Sequence, residues 1–529
     1  MKVNNLIEIL RSKAQAVPDR PFIIYGQKQV TFKELDEYSS YLSRFLADSG
    51  VEKGDRVAIW MYNCPEFIIS YFAILKLGAV VVPVNNMFKR QEAKFVIDDS
   101  GSVVLLCSPE KIEDSCNINL RVSILKKIIS FSFDTQVDNE VIDLYSLIRR
   151  KKRFFGEPDI SSSHIAEILY TSGTTGRPKG ACLTHGNLIS NVEDCIEVIK
   201  ANSRDRFICL LPLFHSFAST VCMLFPLYLG AATVVFRVIR PFKRVIRSIR
   251  KNKVTVFVGV PSLFNVLKDI KIPAILQNPL MKLLNPVRVC ISGAAALPPK
   301  LIPVFEKKFR VKLLEGYGLT EAAPVVSLNL LKGKRKLGSI GLPLPSVRVK
   351  IIDDRLEESR PGQIGELLVK GPNVMKGYWN TETETKSILE DGWLHTGDLA
   401  KADREGFIYI VGRAKDMINV RGLNVYPREV EEVLYQLDFV KEAAVVGIDH
   451  PRKGEVPVGF VVLKKTGQVS AKQIHRFLRD NVAAFKVPFK IELRESLPKN
   501  AAGKIQKFIL KEEIEKELFN RLQTTGPSP

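Results

Sequence analysis

The 529-residue sequence has eight cysteines and no C-x-x-C pair, so neither a disulfide framework nor a paired-cysteine metal or redox motif is expected. Most of the cysteines sit in apolar runs, as buried thiols do. The six histidines are scattered, which excludes an obvious zinc or iron ligand set. There is no Walker A loop, no internal repeat and no low-complexity tract. The opening stretch MKVNNLIEILRSKAQ has no long apolar core, so a secretory signal is not expected. One long run, Phe207 to Phe236, carries no formal charge with His215 neutral and is long enough to span a bilayer. Pro212, His215, Pro226 and Gly230 interrupt it, and the reading is instead a buried strand, a loop, a helix and a second strand. Acid is scarce relative to base: Asp and Glu number 57 against 78 Lys and Arg, a net charge of +21. That balance favours anionic partners such as nucleotides, CoA, nucleic acid or acidic lipid, without choosing among them.

What is present is ordinary globular composition, 46% hydrophobic, at a length that implies two to four domains or subdomains. One stretch stands apart. Tyr170 to Gly180 reads YTSGTTGRPKG and follows the apolar run Ile165 to Tyr170. Glycines let a backbone approach an anion, hydroxyls and N–H groups donate to phosphate oxygens, and Lys179 offsets charge. This is a phosphate-gripping loop leaving a strand end.

Along residues 17–110 strands and helices alternate. Thr31 and Glu34 form a capping box for a helix to about residue 49. Arg56 to Met61 and Ala79 to Val84 read as strands around a helix from Pro65 to Leu77. The charge run Arg149 to Arg153 reads as a solvated loop. Beyond residue 200 the strands Ile208 onward, Ala232 to Phe236, Thr255 to Pro261, Val287 to Leu297 and Leu313 onward end in loops rich in Gly, hydroxyl and acid groups. Ligands bind at such carboxyl ends in open α/β sheets. Pro241 to Lys253 reads as a helix with Phe242, Val245, Ile246 and Ile249 on one face and a basic opposite face without acid. A packed surface helix and contact with acidic lipid or CoA phosphates both stay open. From about 338 to 412 short alternating strands suggest a small β-barrel. A boundary falls at 413–416, and residues 417–529 form a compact unit of strands and helices. Its helix from Pro427 presents Val430, Val433 and Leu434, and Ser470 with Gln473 forms a second capping box.

Three residues invite a role with a bound triphosphate. Glu321, ending GYGLTE, is a candidate Mg²⁺ ligand. Tyr317 offers a flat face to a purine, or is a core tyrosine. Asp398, following His395-Thr396-Gly397, reads as a short acid in a turn that accepts ribose hydroxyls or closes an Asx-turn.

Taken together, YTSGTTGRPKG, EGYGLTE, WLHTGD, GRAKDMINVRGLNVYPREVE and LPKNAAGKIQK resemble, in order and spacing, the signatures of the adenylate-forming enzymes: acyl- and aryl-CoA synthetases, amino-acid adenylation domains and beetle luciferases. The resemblance runs from about residue 10 to about 515, and its texture is most similar to bacterial fatty-acyl-CoA ligases. It implies an α/β fold: a large N-terminal domain, 1–412, of parallel-sheet α/β subdomains plus the β-barrel, a hinge at 413–416, and a small mobile α+β domain, 417–529. The implied reaction joins a carboxylate to ATP, giving acyl-AMP and pyrophosphate, and then CoA displaces AMP. Implied to hold ATP or AMP are Thr171, Ser172, Gly173, Thr174, Thr175, Gly176, Lys179, Gly293, Ala294, Ala295, Glu315, Gly316, Tyr317, Asp398 and Arg413. Thr320, Glu321 (with Mg²⁺) and Lys504 are the implied catalytic residues. Phe214, His215, Val260, Gly293, Leu319 and Ala323 would line the acyl pocket, Lys415 aligns with the hinge, and Gly422 with the CoA channel. Asn419 stands where the luciferase branch has a lysine, which argues against the oxidative reaction.

The expectation is thus a cytoplasmic ligase acting on fatty acid, ATP and CoA with Mg²⁺. Peripheral contact with acidic membrane and a homodimer stay open, and no nucleic acid partner is expected. An aryl-CoA ligase and an acyl-AMP ligase loading a carrier protein are the enzyme alternatives. The latter would carry an insertion in the large domain that is not seen; that no carrier domain is seen after Lys504 argues against a modular peptide synthetase. The non-enzyme alternative is a basic membrane-surface binding protein, against which Glu321, Asp398 and Lys504 argue.

Overall fold

The computed structural model describes residues 3–116, 127–130, 156, 158–171, 178–270, 285–420, 423–450, 454–465, 469–500 and 503–524. The apolar run Arg56–Trp60 is a strand whose last four side chains are fully buried, as a parallel strand covered by helices on both faces requires. It pairs in parallel with Val80–Pro83 and Ser102–Cys107, and Val80–Pro83 pairs in parallel with Ile165–Thr171. Lys127–Ser130 extends this seven-stranded sheet on one side. On the other side the chain turns back: Lys179–Thr184 runs antiparallel to Ile165–Thr171, and Gly377–Tyr378 closes the edge. The two ends of the Tyr170 to Gly180 stretch therefore pair as strands of a hairpin, with Thr171 opposite Lys179.

A nine-stranded sheet forms the other half of the large unit. Its parallel interior runs through Pro21–Tyr25, Ala232–Val235, Arg206–Cys209, Val256–Gly259, Val289–Ser292 and Lys312–Gly318. Antiparallel strands finish both edges: Lys28–Thr31 on one, Val325–Leu328 and Leu342–Pro343 on the other. The first strands of the chain thus divide between two sheets. The uncharged run 207–236 is a strand, buried helical turns over Ser216–Leu229 and a strand, as its breakers imply. Among the described residues no helix is long and apolar enough to cross a membrane. In helix Phe242–Lys251, Val245 is fully buried but Ile246 is 37% exposed, so the expected apolar face is narrower than its sequence spacing suggested.

Five antiparallel strands, Arg348–Ile352, Gly365–Lys370, Leu389–Glu390, Trp393–Ala402 and Ile408–Arg413, make the small β unit. Leu342–Pro343, read from sequence as part of it, belongs instead to the nine-stranded sheet. The last strands, Val440–His450, Gly454–Leu463 and Lys490–Arg494, form a sheet with a hydrophobic cluster on each face. Alternation decides the sides: Ala443, Val445 and Val461 meet Val430, Leu434, Ile474 and Leu478, whereas Ala444, Val446 and Phe460 meet Leu510 and Ile514. The capping boxes at Thr31 and Ser470 are both formed.

One buried acid lies on the strand that feeds the hairpin. Glu167 has no exposed surface; its Oε2 accepts from the Tyr71 hydroxyl at 2.9 Å, and its Oε1 has no hydrogen-bond partner among the described residues. Burial pushes its carboxyl up to about 7 from an ordinary 4.5. Between those values the native state holds a proton that the unfolded chain has released, so stability falls as pH rises through this window. Glu167→Gln should remove that fall. Wild type should lose up to about 3 kcal/mol more than the variant between acid and alkaline pH, read from unfolding midpoints across the range. Equal pH profiles would refute the assignment.

Candidate active site

The carboxyl end of strand Lys312–Gly318 delivers Tyr317 to the strand pair Trp393–Ala402 and Ile408–Arg413. In that pair Asp398 lies directly opposite Arg413. The Tyr317 hydroxyl donates to Asp398 Oδ2 at 2.5 Å, and Arg413 Nε donates to Oδ1 at 2.8 Å. Asp398 is 4% exposed. It was expected in a turn; it sits within a ten-residue strand whose alternation is masked in sequence by the polar run His395-Thr396-Gly397. Burial, and then the Asp398 charge, pushes the Tyr317 hydroxyl well above its ordinary range, keeping it a donor. Burial opposes the Arg413 charge, but Asp398, Tyr317 and Glu321 outweigh it, so the guanidinium is held more firmly protonated.

Lys504 comes to this triad from the C-terminal unit. A cap fixes its loop: the Lys504 amide donates to Asn500 Oδ1 at 2.9 Å, and the Asn500 amide donates to the Lys504 carbonyl. Gly503, at φ 78°, leans on the start of helix Pro261–Asp269 that follows strand Val256–Gly259, where an added Cβ would lie 3.3 Å from Ser262 Oγ and 3.6 Å from Val260 Cγ2. Contacts such as Asn265 Nδ2 to the Lys441 carbonyl, 3.3 Å, hold the two units together nearby. Lys504 stays exposed, and its ammonium stands in the crevice between the two units near Arg413, Asp398 and Asp416. Burial first and Arg413 second lower its pKa, while Asp398 and Asp416 act in the opposite direction. His215 faces the same crevice. Burial, then the Lys504 charge, lowers its imidazole to about 4, so it is neutral at pH 7. Lys415 lies at the crevice wall with its ammonium lowered, chiefly by burial.

The hairpin reaches this crevice through a residue that the sequence did not single out. Tyr378, paired with Ala181, donates its hydroxyl to Glu321 Oε1 at 2.8 Å, and Lys179 Nζ lies 5.5 Å from its ring centre. Lys179 Nζ also stands 4.0 Å from Glu384. The only sequence signal for Tyr378 is a pair of aromatics after Gly377, which is weak. Thr320 shares a 3-10 turn with Glu321, and its hydroxyl lies 3.3 Å from Ser216 Oγ beside His215. Ser172, Gly173, Thr174, Thr175, Gly176 and Gly422 lie outside the described residues.

Close approach explains the glycines. A Cβ at Gly318 would stand 2.0 Å from the Pro324 carbonyl oxygen, and one at Gly293 would stand 2.9 Å from Phe217 Cζ. Phe217 is thus a wall residue unmarked in sequence. Beyond Gly293, Ala294 takes φ 67°, and Ala295 leads toward Leu297. Glu315, expected at the nucleotide, has its side chain engaged with the loop after Gly293. Only 1% exposed, it accepts from the Leu297 amide at 3.0 Å and braces the 294–297 loop, with burial raising its carboxyl to about 7. Its neighbour Gly316 packs on Leu328. Of the expected acyl-pocket residues, Phe214, His215 and Leu319 are half-buried, Val260 is 7% exposed, and Ala323 is sealed in the core.

The crevice therefore collects a lysine, an arginine paired to an aspartate, a tyrosine ring, a neutral histidine and a carboxylate beside a glycine-rich hairpin. Such a site suits a polyphosphorylated nucleoside meeting a second anion. Known proteins agree. A family model described as AMP-binding enzyme matches residues 10–379, and one described as AMP-binding enzyme C-terminal domain matches residues 429–504. The chain is 35% identical to a long-chain-fatty-acid–CoA ligase of Bacillus subtilis, over 96% of this chain and 95% of that one. It is 34% identical to a feruloyl-CoA synthase of Amycolatopsis sp, over 94% and 96%. Among solved structures it is similar to O-succinylbenzoate coenzyme A synthetase (MenE) from Bacillus subtilis in complex with ATP and magnesium ion. The TM-score is 0.81 at 30% identity, covering 96% of this chain and 99% of that one. With matches of this extent in both units, the chain belongs to the AMP-binding enzyme family, the adenylate-forming enzymes.

Proposed function

We propose that this enzyme is an ATP-dependent fatty acid–CoA ligase. One observation carries the reading: Lys504 of the C-terminal unit stands in one crevice with the Tyr317–Asp398–Arg413 triad and with His215. In the first step a carboxylate oxygen bonds the α-phosphorus of ATP and the bond to pyrophosphate breaks. Two anions must meet, and Lys504 offsets the charge that gathers between them. Tyr317 stacks on the adenine, Asp398 receives the ribose hydroxyls on lone pairs left over from its two contacts, and Thr171 to Lys179 hold the phosphates. Glu321 suits Mg²⁺ carried with ATP: one oxygen is oriented by Tyr378, and a single carboxylate with phosphates and water is a usual set for this ion. When bound, the ion would offset phosphate charge. In the second step the CoA sulfur bonds the acyl carbon, AMP leaves and the thiol proton passes to solvent. We place the unit boundary at 413–416, with Lys415 as hinge and the segment at Gly422 along the CoA route once the C-terminal unit has turned.

The long-chain relatives and the small residues at 293–295 favour an aliphatic acid; the feruloyl-CoA synthase relative keeps an aryl acid as the second reading. The test is AMP release across fatty and aryl acids, with and without CoA. Long-chain acids should give AMP and acyl-CoA together. Turnover of aryl acids alone would replace the substrate, and acyl-AMP accumulating despite CoA would replace the acceptor.

A further inference from the structure

From Arg237 to Lys253 the chain carries eight cations and no acid: Arg237, Arg240, Lys243, Arg244, Arg247, Arg250, Lys251 and Lys253. All eight are exposed. Arg237 pairs with Glu110 at 2.7 Å; the other seven have no ion pair among the described residues. Two aliphatic side chains stand uncovered among them, Val238 at 63% and Ile246 at 37%. The helix itself is firmly seated through Val245, Phe242 and Ile249 on the core of the nine-stranded sheet. Its outward face is therefore fixed in place.

The position of this patch matters as much as its charge. The segment leaves the carboxyl end of strand Ala232–Val235, next in the sheet to Arg206–Cys209, whose carboxyl end leads to Phe214 and His215. One buried asparagine ties the two loops. Asn63 Nδ2 donates to the carbonyls of Leu211, at 2.8 Å, and Phe236, at 3.2 Å, while the Leu213 amide donates to Asn63 Oδ1 at 2.8 Å. Arg237 stacks over Tyr62, 4.8 Å from the ring centre. The start of the basic segment and the loop given to the acid thus share one rim, and the helix runs back from it along the sheet to Asn252, whose carbonyl accepts from Arg206 at the amino end of the neighbouring strand.

We propose that this surface, Val238 to Lys253, docks the enzyme on an anionic phospholipid bilayer, with Val238 and Ile246 entering the interface and the arginines and lysines meeting headgroup phosphates. Aliphatic side chains among unpaired cations suit a lipid interface. They serve no purpose on a nucleic acid backbone, and the segment's one aromatic, Phe242, is turned inward rather than free to stack on bases. The docking surface stands on its own geometry; only its benefit, holding the acid loop at the reservoir of an apolar acid, rests on the function proposed above.

The experiment is sedimentation of the full chain with phosphatidylcholine vesicles, with and without phosphatidylserine, at low and high salt. Binding should require phosphatidylserine and fall with salt. Each neutralised cation should weaken partitioning about fivefold, so Arg244→Gln, Arg247→Gln and Arg250→Gln together should cost about a hundredfold. Ile246→Asp should weaken it as well. Turnover of a short, water-soluble acid by these variants, and their unfolding midpoints, should match wild type, showing that the fold is intact. Undiminished vesicle binding by the triple variant, absence of binding by wild type at low salt, or tighter binding to a polynucleotide than to the vesicles would each overturn the proposal. Arginine-dependent vesicle binding by an enzyme that turns over only aryl acids would overturn the substrate assignment and leave the docking surface standing.

Discussion

Lys504→Ala should lose about two to three orders of magnitude in acid-dependent pyrophosphate release, while still converting supplied acyl-adenylate to thioester. The reason is electrostatic. Lys504 brings an ammonium beside Arg413 and Asp398 from a unit separate from theirs, so its charge is set where negative charge would gather. Its loop is held by Asn500 and by the fit of Gly503 on Val260 and Ser262. Lys504→Arg restores charge without the compact head, so partial recovery would mark charge as the main contribution. The measurement is single-turnover pyrophosphate release alongside thioester formation from preformed adenylate. Equal loss of both steps would show a structural defect and end the role given to Lys504.

Asp398→Ala should be the most destabilising single change in the crevice. The substitution leaves the Arg413 guanidinium without its counter-charge and the Tyr317 hydroxyl without an acceptor. Breaking a buried pair costs about 3–5 kcal/mol. The low end applies here, because the Arg413 side chain is 35% exposed and water can reach it. Tyr317→Phe alone should cost about 1 kcal/mol. The double variant tells whether the three act as a unit. Costs that add would mean independent contacts; a double cost well below the sum would mean a coupled network. ATP affinity, read separately, should fall with Asp398→Ala more steeply than stability does. If stability falls but ATP affinity holds, Asp398 is a structural brace and the ribose role is wrong.

Local chemistry in these residues was legible; partnership across the chain was not. The loop at the strand end was visible because eleven residues without an apolar anchor close a buried run, but its return as an antiparallel strand was not. The capping boxes were visible because donor and acceptor lie three residues apart. Asp398 was misplaced because an extended strand with polar residues at alternate positions looks like a turn when Gly397 stands within it. Glu315 looked like part of a ligand motif, but its partner is the Leu297 amide, which no local pattern indicates. Tyr378 and Phe217 were silent because their roles arise only where Glu321 and Gly293 are brought beside them. Lys504 resembles any exposed helix-start lysine, and motif resemblance alone marked it. Ile246 followed helical spacing yet stays half outside, since the sheet covers only the stripe through Val245.

The edge of the seven-stranded sheet has a bearing on how the enzyme is born. Strand Lys179–Thr184 finds its outer neighbour only in Gly377–Tyr378, where Cys182 meets Gly377, and the Trp379 amide reaches back to the Gly180 carbonyl at 2.7 Å. A chain emerging from the ribosome carries both strands of the hairpin long before it carries that cover. Until then the strand presents an open row of amides and carbonyls to any other extended segment, and closure over so long a separation is slow. The residues that cover the outer strand of the hairpin are thus the same ones that end its vulnerability during synthesis, so a truncation before Gly377 should forfeit solubility.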